Sequence, residues 1–468
     1  MRFIDDSVAI VGMGCVFPGS PDLETYWENI CAKRSFIADN PDPGSIKYLD
    51  PDSRDFERVY SLRGGYLGSI ATFDPIKHGV MPSDVQSGDA DHFLALRAAT
   101  AAVEDAGVDL GEIRRDRVEV ILGHSTGWTP GAVSWFQTGL ALEQTIDIVR
   151  ALNPGVSAED IARIRKALKQ SLPPMTAQTP PTLIPNIMAS RIANRMDLMG
   201  HNYILDAACA TSHIALANAM KDLLTDSCDF VLVGASQVSC LVQELMLFCA
   251  VNAMSRLPEL RPFDRNADGT MLGEGVGVLL VRRLKDAERD GNRIYAVIRG
   301  VGTASDGRAK ALLAPRLEGQ ALAIGRAYTA AEADPRTVEL VEAHGTGIPL
   351  GDVTEIGALT SVFGAREGSR PTCGVGSIKS MIGHCRSASG IAGIIKATLA
   401  LYHKILPPTL NCEEPNPDLG LANTPFYINT ETRPWIRPTG STPRRAGVSA
   451  MGFGGINGHC VLEEYRGS

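Results

Sequence analysis

Apolar runs in this chain are short, β-branched and cut off by glycine. Val8–Val11 precedes "GMGC", Val118–Leu122 precedes "GHSTG" and Phe230–Val233 precedes "GASQ". Val278–Val281, Ala296–Ile298, Val338–Val341 before "EAHGTG", and Val448 near "GFGG" continue the series. Such runs, bounded by turn residues, read as strands buried on both faces, and the helical stretches between them predict an α/β fold. The most apolar region, Phe230 to Met254, has the length of a membrane span. Gln237, Gln243 and Glu244 interrupt it, and Gly234 and Ser236 break it, so a buried strand followed by a buried helix is expected instead.

The pattern repeats once. "VEVILGHSTG" (Val118–Gly127) and "VELVEAHGTG" (Val338–Gly347) share a strand, a histidine and a turn ending in Thr-Gly. Either two strand-turn units match by chance, or half of the chain has been duplicated. Under duplication, the strand-turn leading to Cys209 answers the one leading to "SIKSMIGH" (Ser377–His384), and the first half carries extra residues between its two turns. That matter is visible as Trp128–Pro181, with helical segments "ALEQTIDIVRALNP" and "SAEDIARIRKALKQSLPP". Ser157 and Asp160 form a capping box for the second, and Pro173-Pro174 stops it. This stretch, near 128–181, is either an inserted cap or dimer contact, or a plain surface hairpin. The chain then divides into an N-terminal half, 1–260, and a C-terminal half, 261–468.

Composition narrows the function. A length of 468 residues is more than one simple core needs. The net charge of −8 offers no global positive field for nucleic acid or an anionic membrane. The opening "MRFIDDSVAIVGMGC" carries acids at once and no long apolar core, so no secretory leader is expected. Ten cysteines include no C-x-x-C pair, which suits reduced thiols in the cytoplasm.

One of those thiols stands apart. In "DAACATSHIALANAM", Cys209 precedes a stretch apolar nearly all round, a buried helix. A thiol at a helix N-terminus meets free N–H groups and the positive end of the dipole, which favour thiolate. The alternative is a buried structural cysteine. "EAHGTG" puts His344 on a glycine-bearing loop at a strand end, and "GSIKSMIGH" puts Lys379 five residues before His384. A cysteine and two histidines on separate loops are a common delivery of catalytic groups on α/β scaffolds. A zinc site of the same three residues is the rival, although the short ligand spacings are missing.

These residues carry a resemblance. "VAIVGMGCVFPGS", "DAACATS", "RPFDRNADGTMLGEGVGVLLVRRLKDAERDG", "EAHGTGIPLGDVTE", "GSIKSMIGH" and "GVSAMGFGGINGH" resemble, in order, the motifs of β-ketoacyl synthases of the thiolase superfamily. The chain looks most like the ketosynthase domain of a type I polyketide synthase, and "IKSMIGHCRSASGIAGIIKATLALYHKILPPTLNCEEPNP" leans toward iterative synthases of enediynes or polyunsaturated fatty acids. The resemblance implies a thiolase-like, five-layered αβαβα fold of two similar halves and a homodimer. It implies decarboxylative Claisen condensation, with substrates carried on the phosphopantetheine of an acyl carrier protein and no cofactor or metal of the enzyme's own. Other polyketide synthase domains in the same polypeptide are further implied partners; a nucleic acid or a membrane is not. Cys209 would hold the acyl group, and His344 and His384 would steady the enolate. Lys379 would position the histidine region, or else form a salt bridge with Glu274 or Glu355. The amides of Cys209 and Phe453 would form the oxyanion hole, with Phe453 also gating the pocket. Thr346, Ile348, Gly454 and Asn457 would meet substrate or pantetheine, Asn457 by fixing its loop.

Some positions depart from the family pattern. Ile348 stands where a second threonine usually helps hold the pantetheine arm, and it cannot donate that hydrogen bond. Ile456 and Gly458-His459-Cys460 stand where Thr and Ala-His-Val are common. Two other functions use the same fold: a thiolase-like acyltransferase, for which Cys460 would be the second cysteine, and a non-catalytic chain-length-factor-like partner. Trp135, Phe136 and Met246 are expected to set pocket depth at the dimer interface, and Arg282, Arg283, Arg444 and Arg445 are candidates for carrier docking. The last residues, "LEEYRGS", fit a free enzyme or an excised domain.

Overall fold

Nine consecutive buried residues, Val8–Val16, form the first strand, β1. Its glycines admit a helix: a side chain at Gly12 or Gly14 would strike the carbonyls of Ala102 or Ala98, in helix α1 (Ala90–Ala106). The computed structural model describes residues 7–125, 129–172, 175–176, 179–308, 311–366, 370–437 and 442–467. Ten further strands join β1 in one sheet. They are β2 (Val118–Gly123), β3 (Asn202–Leu205), β4 (Phe230–Gln237), β5 (Gly275–Arg283), β6 (Ala296–Ser305), β7 (Leu340–Glu342), β8 (Cys373–Gly376), β9 (Phe426–Ile428), β10 (Arg445–Gly452) and β11 (Ile456–Glu463). The order across the sheet is β9-β8-β7-β10-β11-β6-β1-β5-β4-β2-β3.

Outward from the β1–β6 junction, the order repeats. On one side lie the first, fifth, fourth, second and third strands of a first repeat, β1 to β5. On the other lie the first, fifth, fourth, second and third of the second, with β9 added. In each half the second strand runs parallel to both its neighbours. The match between β2 and β7 is therefore a true repeat of the fold. Its packing repeats too: side chains at Gly300 and Gly302 in β6 would strike carbonyls of Ala327 and Ala323 in the helix that follows, Leu317–Ala331.

Eight more helices matter to the site: α2 (Leu142–Leu152), α3 (Ala158–Ser171), α4 (Asn186–Met196), α5 (Thr211–Leu224), α6 (Val242–Ala250), α7 (Leu317–Ala331), α8 (Pro349–Phe363) and α9 (Ser389–His403). α5 and α9 form the central layer. α9 is buried continuously from Ser389 to Leu401, because sheet strands of both halves pack on it. α1 and α4 cover the first half-sheet from outside; α7 covers the second, with α8 packed against α7. These are the five layers that the resemblance implied. The stretch from Phe230 to Met254 divides into β4 and α6, as the polar interruptions predicted.

The additional matter of the first half lies between β2 and β3. α2 and α3 pack through Leu142, Ile146 and Ile161. Ser157 caps α3, accepting from the Asp160 amide at 3.0 Å and donating to the Asp160 carboxylate at 2.7 Å. Thr126, Gly127, Trp128, Pro173 and Pro174, used above for the echo's turn, the start of the insertion and the helix stop, lie outside the described residues.

Candidate active site

Both halves build the same elbow. Beyond the third strand of each, the chain makes a 3₁₀ turn and enters a central helix: Ala208–Ala210 leads into α5, and Arg386–Ala388 into α9. Each turn opens on a non-glycine residue at φ +49°, Ala208 and Arg386, a conformation that costs L-residues roughly 1–2 kcal/mol. Cys209 and Ser387 thus occupy equivalent places. Hydrogen bonds hold the first elbow: the Ala208 amide donates to Asp206 at 2.9 Å, the Ala207 amide to Thr211 Oγ1 at 2.8 Å, and that hydroxyl donates to the Ala208 carbonyl at 2.6 Å.

Cys209 is 5 % exposed, and burial pushes its thiol up to about 11. Lys379, the Phe453 backbone amide and Arg386 pull the other way and lose. The helix terminus was expected to favour thiolate; desolvation of the charged sulfur outweighs the named favourable groups, so their net push is toward the thiol.

His344 follows β7 at the end of the second half's second strand. Two carboxylates of α8 grip its loop. Glu355 accepts from the amides of His344 at 2.7 Å and Gly345 at 2.9 Å, and Asp352 accepts from those of Thr346 at 3.1 Å, Gly347 at 3.3 Å and Phe263 at 2.8 Å. Lys379 donates to the His344 carbonyl at 2.5 Å. The expected partners of this lysine, Glu274 and Glu355, are otherwise engaged: Glu274 accepts from the Leu67 and Cys240 amides. The lysine therefore braces the histidine's backbone directly.

The His384 ring lies 5.4 Å from the His344 ring, centroid to centroid and edge to face. The Arg386 amide donates to His384 Nδ1 at 3.1 Å, with Ser389 Oγ 2.6 Å from the same nitrogen. A nitrogen that accepts an N–H carries no proton, so the neutral ring holds its proton on Nε2. Burial, Lys379 and nearby cationic groups hold both imidazoles well below the usual histidine range, so both are neutral near pH 7.

Cys209, His344 and His384 border one cavity of about 210 Å³. Thr346, Ile348, Phe453, Gly454 and Asn457 border it as well, so these sequence candidates are brought together; Lys379 stands behind His344. The cavity reaches the surface beside Leu313 and Leu350, both exposed. Phe453 stacks on Phe248 of α6, with ring centroids 5.7 Å apart. Asn457 donates to Asp306 at 2.7 Å, and the Asp306 amide donates to the Gly455 carbonyl at 2.8 Å, which ties down the glycine loop.

Several residues escaped the sequence reading. Asp306 braces the glycine loop, and Thr270 borders the cavity with a buried hydroxyl that has no partner among the described residues. His213 breaks the apolar character expected of α5: its Nε2 donates to the Val448 carbonyl at 3.0 Å, and burial holds the ring down to about 4. It also explains Gly458, where a methyl group would sit 2.5 Å from the His213 Cβ. Cys460 is buried in β11, paired with Val448, and does not border the cavity. No three His, Cys, Asp or Glu side chains among the described residues are arranged to hold a metal ion. The four arginines considered for docking are engaged in ion pairs: Arg282 with Asp290, Arg283 with Asp229 and Asp286, Arg444 with Glu464, and Arg445 with Glu463. No helix among the described residues is long and apolar enough to cross a membrane.

Comparison with known proteins gives the family and the fold. Residues 5–287 match the family of β-ketoacyl synthase N-terminal domains, and residues 295–413 that of the C-terminal domains. The chain is 36 % identical to one component of the polyunsaturated fatty acid synthase of Thraustochytrium sp., over 98 % of this chain and 16 % of that protein. It is 34 % identical to the polyketide synthase PksN of Bacillus subtilis, over 98 % of this chain and 8 % of that protein. The chain thus spans a small part of the curated relatives it matches. Among solved structures, it superposes on the ketosynthase from module 6 of the bacillaene synthase of Bacillus subtilis with a TM-score of 0.81 and 31 % identity, covering 98 % of this chain and 72 % of that one. An oxazolomycin ketosynthase domain from Streptomyces albus gives 0.84 at 29 % identity, covering 99 % and 75 %. The chain belongs to the β-ketoacyl synthase family, acyltransferases of the ketosynthase type.

Proposed function

We propose that this chain catalyses decarboxylative Claisen condensation between an acyl group on Cys209 and a malonyl group on an acyl carrier protein, within polyketide or polyunsaturated fatty acid assembly. The observation that carries this is the convergence of Cys209, His344 and His384 on one cavity open to the surface. The Cys209 sulfur attacks the acyl thioester of a carrier's phosphopantetheine. A new thioester forms, the old C–S bond breaks, and the thiol proton passes to the departing pantetheine sulfur. The amides of Cys209 and Phe453 receive the oxyanion.

Malonyl thioester then enters. Its carboxylate leaves as carbon dioxide, and the electron pair of the broken C–C bond becomes an enolate. His384, with its proton on Nε2, and neutral His344 donate to the enolate oxygen. The enolate carbon attacks the Cys209 thioester, and the cysteine leaves and regains a proton. Lys379 is a positioning residue, through the His344 carbonyl. Thr346, Ile348, Gly454 and Asn457 line the path of the pantetheine arm, and Phe453 gates it.

The same reading assigns the nucleophile to one repeat and the histidine loops to the other, with the changeover between Arg283 and Ala296, where strand order turns, rather than at residue 260. It takes the protein as a cytoplasmic homodimer. All ten cysteines are free thiols, and β3 ends the sheet half-buried, with one edge unpaired. Trp135 and Phe136 of the insertion are exposed in a single chain, which suits a covering partner. Intact-protein mass spectrometry after offering acyl-carrier thioesters tests the proposal. It predicts one acyl adduct on wild type and none on Cys209→Ala; an adduct on the alanine variant contradicts it.

A further inference from the structure

The second elbow points backwards into the molecule. Arg386 is 4 % exposed; both terminal nitrogens of its guanidinium are engaged, whereas its Nε has no partner among the described residues. It pairs with the Glu244 carboxylate and donates to the Ser239 carbonyl at 2.8 Å and the Gly273 carbonyl at 3.3 Å. Glu244 is equally buried, in the first turn of α6. The backbone of Arg386 meanwhile holds the left-handed conformation from which its N–H reaches His384 Nδ1. A relay therefore runs from the Glu244 carboxylate through one side chain to one amide and on to one imidazole. Phe248, four residues after Glu244 on α6, stacks on Phe453, so the same helix face borders the gate.

We infer that Glu244 and Arg386 form a positioning unit for His384: the buried ion pair locks residue 386 in its left-handed turn, and the locked amide keeps the imidazole proton on Nε2, facing substrate. The inference rests on the reading of His384 as a donor to the enolate. A left-handed arginine is disfavoured by its own Cβ and persists only where its surroundings hold it. The charge-assisted bonds of the guanidinium provide that hold. Ser387 and Ser389 assist nearby, but neither supplies the amide that fixes the tautomer.

The test uses full-length wild type, Arg386→Lys, the neutral pair Glu244→Gln/Arg386→Gln, and His384→Ala, each checked by thermal melting. Removing one charge alone would strand the other in the core, which is why the pair is changed together. Three quantities are read: acylation of Cys209, decarboxylation of malonyl-carrier protein, and the ¹⁵N shifts of His384. The inference predicts that the neutral pair lowers decarboxylation about tenfold or more, a part of the roughly 10²–10³ that one donor to a developing oxyanion is worth. Acylation should stay within about threefold, since Arg386 acts on the Cys209 thiol only behind Lys379 and the Phe453 amide, and the paired change removes one charge of each sign. His384 should change from a pure Nε2–H form to a mixture. Arg386→Lys, which keeps the charge but loses the planar fork, should fall between. Decarboxylation and acylation falling together would reduce the pair to a structural role. Unchanged decarboxylation and ¹⁵N shifts, with His384→Ala inactive, would overturn the inference alone. An active His384→Ala would overturn the proposed function and the inference with it.

Discussion

The two elbows have the same backbone and opposite surroundings. At Cys209, small residues flank the turn, and the side chain borders a cavity with two neutral imidazoles. At Ser387, the hydroxyl is spent on the Ser236 carbonyl and the Gln237 side chain, both at 3.1 Å. The histidine that answers His344 in the first half, His124, is likewise closed in: its Nδ1 lies 2.9 Å from the Ser236 carbonyl and 3.7 Å from Asp91. The first half's elbow and the second half's histidines share a hollow, whereas the second half's elbow and the first half's histidine meet polar partners instead. The lesson is that the strained turn alone confers no chemistry. Reactivity comes from leaving space in front of one turn and using the second as a brace.

The hardest challenge to that comparison is to move the nucleophile. In Cys209→Ala/Ser387→Cys, the sulfur sits on the equivalent turn, but against Ser236 and Gln237. Acylation should be abolished, as in Cys209→Ala alone; an adduct at residue 387 would show the elbows to be interchangeable. Next in size are the donors. His344→Ala and His384→Ala should each lower malonyl decarboxylation by about 10²–10³, the usual cost of removing one donor to a developing oxyanion. A loss below threefold for both would remove the imidazoles from the account.

A third measurement probes the open elbow's electrostatics. With its folded value near 11, the Cys209 thiol ionises over a range far above neutrality. Alkylation by iodoacetamide should therefore climb about tenfold per pH unit from 7 to 9. A plateau across that range would mean a thiolate already formed. The smallest effect is at the cavity mouth. Ile348→Thr restores a hydroxyl there and should tighten carrier-substrate KM by roughly two- to tenfold, the worth of one hydrogen bond of about 0.5–1.5 kcal/mol. No change in KM would place residue 348 outside the pantetheine path.

Much of the fold was legible because it is written in local patterns. The β-branched runs named seven of the sheet's strands, and the repeat at Val118 and Val338 anticipated the two-fold order of the sheet. Chemistry-bearing residues were legible where a motif concentrates them, as with Cys209, His344 and His384. What stayed hidden depends on partners distant in sequence. Arg386 reads as one more basic residue until Glu244 lies against it, 142 positions away. Gly458 reads as an unexplained departure until His213 fills the space beside it. The height of the thiol stayed hidden because a helix terminus is visible in a string, whereas the desolvation that raises the thiol is not.

The central claim is that the open elbow runs condensation and not acyl transfer alone. The most direct measurement is a single turnover: enzyme acylated at Cys209, freed of excess substrate and chased with ¹³C-carboxyl malonyl-carrier protein. The account predicts loss of the acyl mass from the enzyme, one equivalent of ¹³CO₂, and a β-ketoacyl group on the carrier. Release of the acyl group as free acid or as acyl-carrier, with the malonyl label retained, would contradict it.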